Sequence, residues 1–443
     1  MAAASLLTAL AVIGGPAAVA ADGTKDTGPG AYASITLEQA VELALKNRPE
    51  PKTKLYQAAA LKAKSIAAKK LPEPMISGGF SVPFTDPLAF PEASVMISQS
   101  FPLSKELKHT SQIFKKKAEA LEAMAGADAL DIVYDVKTSY IAVALLQEQI
   151  RVLGEIEGLA AVVAASTGAR IAAGKGDASM AARAQAEVEK VKSERQSLEA
   201  SLPGRKALFA AAAGIDPASI EQAAFTLPPM PSTDEGIDAA IAKALKSSPE
   251  IEAAGAEIAA SEAEKKAAKA GYLPMMTVGA GYAYKSDKLM GLMGKDAFMI
   301  TIGISVPIWF KKTKAMVDEA GENAAAMTSM KNEVEVEIKQ QVAMAFAELK
   351  TLEAEHRSLV ESVIPQMTLA HDLTLVSYAT GNADLSDVID SLEDLGEARL
   401  KKATLEGEGA LALAAYERAL GVKVQGETNG THGATTAQGG DHE

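Results

Sequence analysis

Residues Phe298 to Lys312 read FMITIGISVPIWFKK. Phe298, Ile300, Ile302, Ile304 and Val306 are large and apolar, and they alternate with Met299, Thr301, Gly303 and Ser305. That period of two belongs to a β-strand with unlike faces. The surrounding chain has a different character: for about forty residues before Leu273 and more than sixty after Phe310 it is rich in Ala, Glu, Lys, Leu and Gln, the composition of long helices. A strand with one strongly apolar face, set between long helices, restricts the folds open to the chain.

Three other stretches carry the same pattern. Ile76, Phe80, Val82 and Phe84 alternate with Ser77, Gly79 and Ser81; Val95, Ile97 and Phe101 alternate with Ser94, Ser98 and Ser100; Val278, Ala280, Tyr282 and Tyr284 alternate with Thr277, Gly279 and Gly281. The four expected strands are residues 75–84, 93–101, 275–284 and 297–307. One face is apolar and the other small or hydroxylated, as in the wall of an outer-membrane barrel with lipid outside and water inside. A soluble sandwich would alternate in the same way, but two hairpins cannot bury their apolar faces against helices that continue directly out of their ends. Four strands also cannot close a barrel, whose smallest form has about eight, so closure falls to several chains arranged cyclically. Three copies would supply twelve strands and leave an open pore.

The chain is also written twice. ITLEQAVELALKNRPE, Ile35 to Glu50, is echoed by IDAAIAKALKSSPE, Ile237 to Glu250, and Leu71-Pro72 by Leu273-Pro274, an offset of about 200 residues. ARIAAGKGDAS, from Ala169, pairs with VSYATGNADLS, from Val376. Gly174 and Gly381 fall where a helical reversal needs a residue tolerant of positive φ, and Gly176 belongs to the first of these tips. Two tandem units follow, residues 35–229 and 230–421, each a hairpin with long helices. Thr36 with Gln39 and Ser232 with Glu235 are expected to cap the opening helices, which Pro49 and Pro249 then interrupt. Long helices are expected from Lys105 to about Thr167 and from Lys311 to about Tyr378, each roughly 90–100 Å, the second kinked at Pro365. Charges mixed with Ala-rich stripes suit helices packed side by side as a coiled-coil tube.

Composition narrows the function. The chain has 443 residues, a net charge of −13 and 5% aromatics, and no basic cluster large enough to neutralise several phosphates, which argues against nucleic acid. The absence of Cys excludes disulfides, thiolate catalysis and thiolate metal sites. SLLTALAVIGG followed by Ala18-Val19-Ala20 has the form of a signal peptide spanning residues 1–20 and cleaved after Ala20. Residues 21–34 read as a flexible segment and 422–443 as a disordered tail. No later run of about 18 apolar residues appears, so membrane contact falls to the strands. Met290 and Met293, in MGLM, offer thioethers suited to Cu(I), and His432 and His442 lie in the tail; a plain loop and a plain tail are the simpler readings, and no metal or other cofactor is expected. No HExxH, GxSxG or phosphate-binding glycine loop occurs, so the chain does not read as an enzyme.

In these residues the chain resembles the TolC family of outer-membrane efflux channels. Similar proteins carry an entry helix ending in N-x-P-E, matched by LEQAVELALKNRPE and AIAKALKSSPE, a Leu-Pro before each hairpin, and strands ending as QSFPL and SVPIW do at Gln99 to Leu103 and Ser305 to Trp309. The second tip appears as YATGNADLSDVID, from Tyr378. The resemblance implies a mainly α protein with a transmembrane β-barrel. It would be a homotrimer whose 12-stranded barrel sits in outer-membrane lipid and continues into a periplasmic helical tunnel. The implied function is a passive exit duct for an inner-membrane pump and a periplasmic adaptor. It also implies that Tyr378, Gly381, Asp387 and Asp390 shape the pore constriction. Asn382 and Ala383 stand where the family pattern has a basic residue, which weakens any salt-bridged lock on that side. The competing class is a periplasmic coiled-coil adaptor or structural protein, which would not repeat a hairpin-plus-helices unit end to end.

Overall fold

The computed structural model describes residues 34–81, 92–233, 235–285 and 296–421. The expected signal peptide and the segment after it, MGLM, Val82, Phe84 and the two tail histidines lie outside the described residues. In chain order the elements are α1 (Leu37–Asn47), α2 (Glu50–Ala68), β1 (Met75–Ser81), β2 (Glu92–Pro102), α3 (Glu106–Ala172) and α4 (Ala178–Ala213). After a single 3-10 turn at Pro217–Ile220 come α5 (Ile237–Ser247), α6 (Pro249–Ala270), β3 (Met275–Lys285), β4 (Ala297–Ser305), α7 (Phe310–Ser358), α8 (Ile364–Thr380) and α9 (Leu385–Leu420). The order helix, helix, strand, strand, helix, helix therefore runs twice, with α7 and α8 together standing in the second run where α3 stands in the first.

The strands form one antiparallel sheet in the order β1-β2-β3-β4. Its register puts Ile76 opposite Ile97, Val95 opposite Tyr282, Ala280 opposite Ile300 and Tyr282 opposite Phe298, so the apolar residues of all four strands share one face. That face has nothing against it: Phe298 is 88% and Ile300 79% exposed. The other face is lined mostly by small and hydroxylated residues, with Met96 and Met299 among them, and Ser100 and Thr277 are hydrogen-bonded at 3.0 Å. Glycine is needed there by crowding. A Cβ on Gly279 would stand 2.5 Å from Thr301 Oγ1, and one on Gly281 3.1 Å from the Val95 carbonyl oxygen. A sheet curled toward this face brings its side chains together, and the alternation read in the sequence is the alternation of a curved wall.

The helices form two layers about α3, which is 67 residues long, or roughly 100 Å. Next to the sheet, α3 packs between α2 and α6, and α6 against α7; toward the far end, α3 packs against α4 and α9, and α9 against α8. One lateral edge of the protomer is thus made by β1, α2 and α4, the opposite edge by β4, α7 and α8. Being surrounded on several sides explains one departure from expectation: although α3 has no uninterrupted apolar run, one 18-residue window is apolar enough by hydropathy to cross a membrane. Its apolar residues serve four neighbouring helices. Where the two layers meet, Tyr140, Phe209 and Phe225 form an aromatic cluster with ring centroids 5.0–5.9 Å apart, and the Tyr140 hydroxyl donates to the Ile35 carbonyl at 3.2 Å.

Local signals decide the element ends. The expected capping box at Thr36 and Gln39 is present, with reciprocal bonds of 3.1 and 3.3 Å. The second expected cap is not made: α5 begins at Ile237 with Gly236 as its N-cap, four residues later than Ser232 and Glu235 require. Glu235 instead accepts a 3.4 Å hydrogen bond from the Tyr416 hydroxyl on α9, a tertiary contact that competes with capping. Ser248 caps α6 through the Ile251 amide at 3.2 Å. The kink expected at Pro365 appears as a π-helical turn over Leu359–Val363, which restarts the helix with Pro365 in its first turn, where a missing N–H costs nothing. β4 ends at Ser305, two residues short of the expected end, because Pro307 cannot donate to a ladder.

Candidate functional site: the two helical tips

The α3–α4 and α8–α9 reversals have the same backbone construction. Gly174 has φ 71° and Gly381 φ 93°. At the first, the Lys175 amide donates to the Arg170 carbonyl and the Gly174 amide to Ile171, both at 2.9 Å; at the second, Asn382 donates to Ser377 at 2.8 Å and Gly381 to Tyr378 at 3.1 Å. Each is a Schellman motif with the left-handed glycine just past the helix end. Gly176 has its own constraint, since a Cβ there would lie 3.0 Å from Ile171 Cγ1.

The fold brings the two tips side by side, and Tyr378 joins them. Its side chain is completely buried among Val163, Leu385 and Val388. Its hydroxyl donates to Thr167 Oγ1 at 3.0 Å, and Thr167 donates onward to the Val163 carbonyl at 2.9 Å. The Arg170 guanidinium lies over the Tyr378 ring, 4.3 Å from its centroid, and donates to the Tyr378 carbonyl. That carbonyl, which also accepts the Gly381 amide, lies at the C-terminal end of α8, where a cation is favoured. Arg170 on α3 thus brings a cation to the second tip from the facing helix. Sequence reading missed Arg170 and Thr167 because their partner is more than 200 residues away. The echo pairing ARIAAG with VSYATG did set both tips at corresponding positions.

Asp387 and Asp390 occupy the first turns of α9 and are exposed. Asp387 Oδ2 accepts the Asp384 amide at 3.0 Å, so it stabilises the helix start. Asp390 makes no ion pair among the described residues. Asp394 and Glu397 continue the same exposed face at spacings of four and three, while Leu385, Val388, Ile389 and Leu392 are buried on the other side. The acidic face is thus about three turns long, and two of its four residues were not singled out from sequence. Above it, His371 on α8 is 2% exposed, with Nδ1 3.2 Å from Ser391 Oγ and Nε2 buried without a partner among the described residues. Burial holds this imidazole below its ordinary pKa, with Arg399 acting in the same direction and Asp372 against it.

Residues 240–422, the second run of elements, match the family model described as outer membrane efflux protein. That part of the chain is similar to the outer membrane efflux protein family. Solved channels share its fold over most of their length. The outer-membrane channel OprN superposes with a TM-score of 0.73 at 18% identity, over 87% of this chain and 89% of that one. VceC from Vibrio cholerae gives 0.71 at 19% identity, covering 87% and 96%, and the CmeC outer membrane channel of Campylobacter jejuni gives 0.70 at 16% identity, covering 90% of each chain. No protein of curated function matches the chain in sequence.

Proposed function

We propose that three copies of this chain form an outer-membrane efflux channel, a passive duct that receives its cargo from an inner-membrane pump through a periplasmic adaptor. The observation that carries this reading is the open, four-stranded antiparallel sheet whose fully exposed apolar face continues into helices about 100 Å long. A sheet with two free edges must close against other chains, and a face this apolar requires lipid. The chain then has no chemistry to perform: an efflux duct works by geometry and electrostatics, and its cargo is chosen by the pump.

The narrow end of this duct is the pair of tips. Threefold repetition of the α9 acidic face would set rings of carboxylates around the axis, favouring cations and repelling anions. Gly174, Gly176 and Gly381 shape the tips, and Tyr378 with Arg170 holds the two tips of each protomer together. The test uses the purified protein in detergent and in planar bilayers. A trimer by light scattering, heat-modifiable mobility on gels and cation-preferring conductance are expected; a stable folded monomer would sink the architecture. Asp390→Asn, which spares the capping contact of Asp387, is expected to weaken cation preference without loss of trimer. Unchanged selectivity would leave the acidic face as helix stabilisation only.

A further inference from the structure

All four junctions between sheet and helices are basic. Lys69 and Lys70 close α2, Lys105 and Lys108 open α3, and Lys269 closes α6; each is exposed. At the fourth junction the opening turn of α7 carries Lys311, Lys312 and Lys314, also exposed. Over the same segments the only acidic residues are Glu73 and Glu106, in a chain whose net charge is −13. None of these lysines is in an ion pair among the described residues, whereas further from the sheet Lys116 and Lys117 pair with Glu119 and Glu264. Each stands within nine residues of a strand end; with linking residues extended at about 3.3 Å each and helical ones rising about 1.5 Å, the whole collar lies within roughly 20 Å of the sheet. A headgroup layer and one Debye length beyond it together span about 15 Å, most of that depth.

Aromatic residues mark the same level. Trp309, the only tryptophan, is 74% exposed immediately before the α7 lysines, beside exposed Phe310, and Tyr272 is exposed at the end of α6. Trp and Tyr favour the membrane interface, and lysine stems extend their ammonium groups into the headgroup layer. We infer that this lysine collar is a docking surface for anionic phospholipid headgroups in the periplasm-facing leaflet, holding a shell of negatively charged lipid around the foot of the barrel. The inference rests on the proposed outer-membrane reading, because only a sheet embedded in a bilayer brings the collar to headgroup level. The charge complementarity is with a diffuse anionic surface: the lysines are spread over four junctions and none is in an ion pair among the described residues. The partner is therefore a lipid leaflet.

The single tryptophan supplies the test. The trimer is reconstituted into vesicles containing tail-brominated phosphatidylglycerol or tail-brominated phosphatidylcholine, and quenching of Trp309 fluorescence gives the relative association of the two lipids at the collar. Phosphatidylglycerol is expected to be preferred about fivefold or more at low salt, the factor that one lysine near an anionic surface supplies. The preference should fall toward unity at high salt and in the triple variant Lys311→Gln, Lys312→Gln, Lys314→Gln. Equal quenching by the two lipids in the unmodified protein overturns the inference. So does a preference that survives both high salt and the triple variant; if the variant does not assemble, the salt titration of the unmodified trimer decides alone. Quenching by neither lipid has a different meaning, since it removes Trp309 from the bilayer and overturns the membrane placement itself.

Discussion

At the residue scale, Tyr378 and Arg170 bind together two tips that the chain visits more than 200 residues apart. Tyr378→Phe removes the bond to Thr167 and should cost about 1 kcal/mol at the tip. Arg170→Ala removes the stacked cation and the bond to the α8 end together and should cost more. The expected outcome is longer and more frequent openings in single-channel recordings, with Arg170→Lys restoring little because an ammonium cannot both stack and donate in a plane. Unchanged gating in both variants would mean that the tip is held between protomers instead. His371 gives the tip region an acid sensitivity. Its folded pKa is depressed, chiefly by burial, so the unfolded chain takes up the proton first as pH falls below about 6.5. Stability contributed by this residue is complete above that value and is lost on acidification. His371→Leu should flatten the fall in thermal stability between neutral and mildly acidic pH, measured by melting at both. Of this region the glycines and aspartates were legible in the sequence, since a positive φ and a helix start have local signatures. Arg170, Thr167 and His371 were not, because their roles come from what tertiary packing sets against them.

At the scale of elements, the strands were readable from alternation, because a sheet with one apolar and one polar face imposes it at most positions, with Met96 and Met299 as exceptions on the small-residue face. What alternation could not show is which small residues are obligatory. The register shows it: Gly279 is closed in by Thr301 and the Ile97 carbonyl, while the nearest atom to a Cβ on Gly303 is 4.0 Å away. Gly279→Val should therefore abolish assembly and Gly303→Ala should be tolerated, with the fraction of heat-modifiable trimer in the outer membrane as the measure; equal yields would contradict the curled sheet. The helices behaved differently. Their existence followed from composition, but the missed cap at Ser232 and Glu235 shows how a tertiary acceptor overrides a local motif. Two arginine clasps were likewise invisible. Arg48 bridges Glu50 and Asp135, and Arg418 bridges Glu250 and Asp131, so each entry helix is fastened to the same stretch of α3, one turn apart. Burial alone would raise the Glu250 carboxyl, yet Ser248 and Arg418 hold it below the ordinary carboxylate value.

At the scale of the whole molecule, one protomer is an incomplete object, and its exposed apolar residues show where it is incomplete. On the β4 edge, Leu369, Leu373 and Val376 stand exposed on α8 at spacings of four and three, one continuous stripe. On the β1 edge, Leu55, Tyr56 and Ile66 stand exposed on α2, with Tyr56 at 76%. Neither set faces the lipid, since both lie on helices that run away from the sheet. A cyclic trimer joins the two edges heterologously, β4 to the next protomer's β1 and the α7–α8 edge to the α2–α4 edge, so both stripes are buried by the same operation that closes the barrel. Leu373→Glu with Val376→Glu places two charges in that seam far from the strands. The expected result is a barrel that still inserts but a trimer that dissociates at markedly lower temperature on unboiled gels, whereas Val162→Glu, on an exposed position of α3, a helix that forms neither edge, should leave the transition in place. Equal melting of the seam variant and the unmodified protein would show that the helical edges do not meet, and closure would then rest on the strands alone.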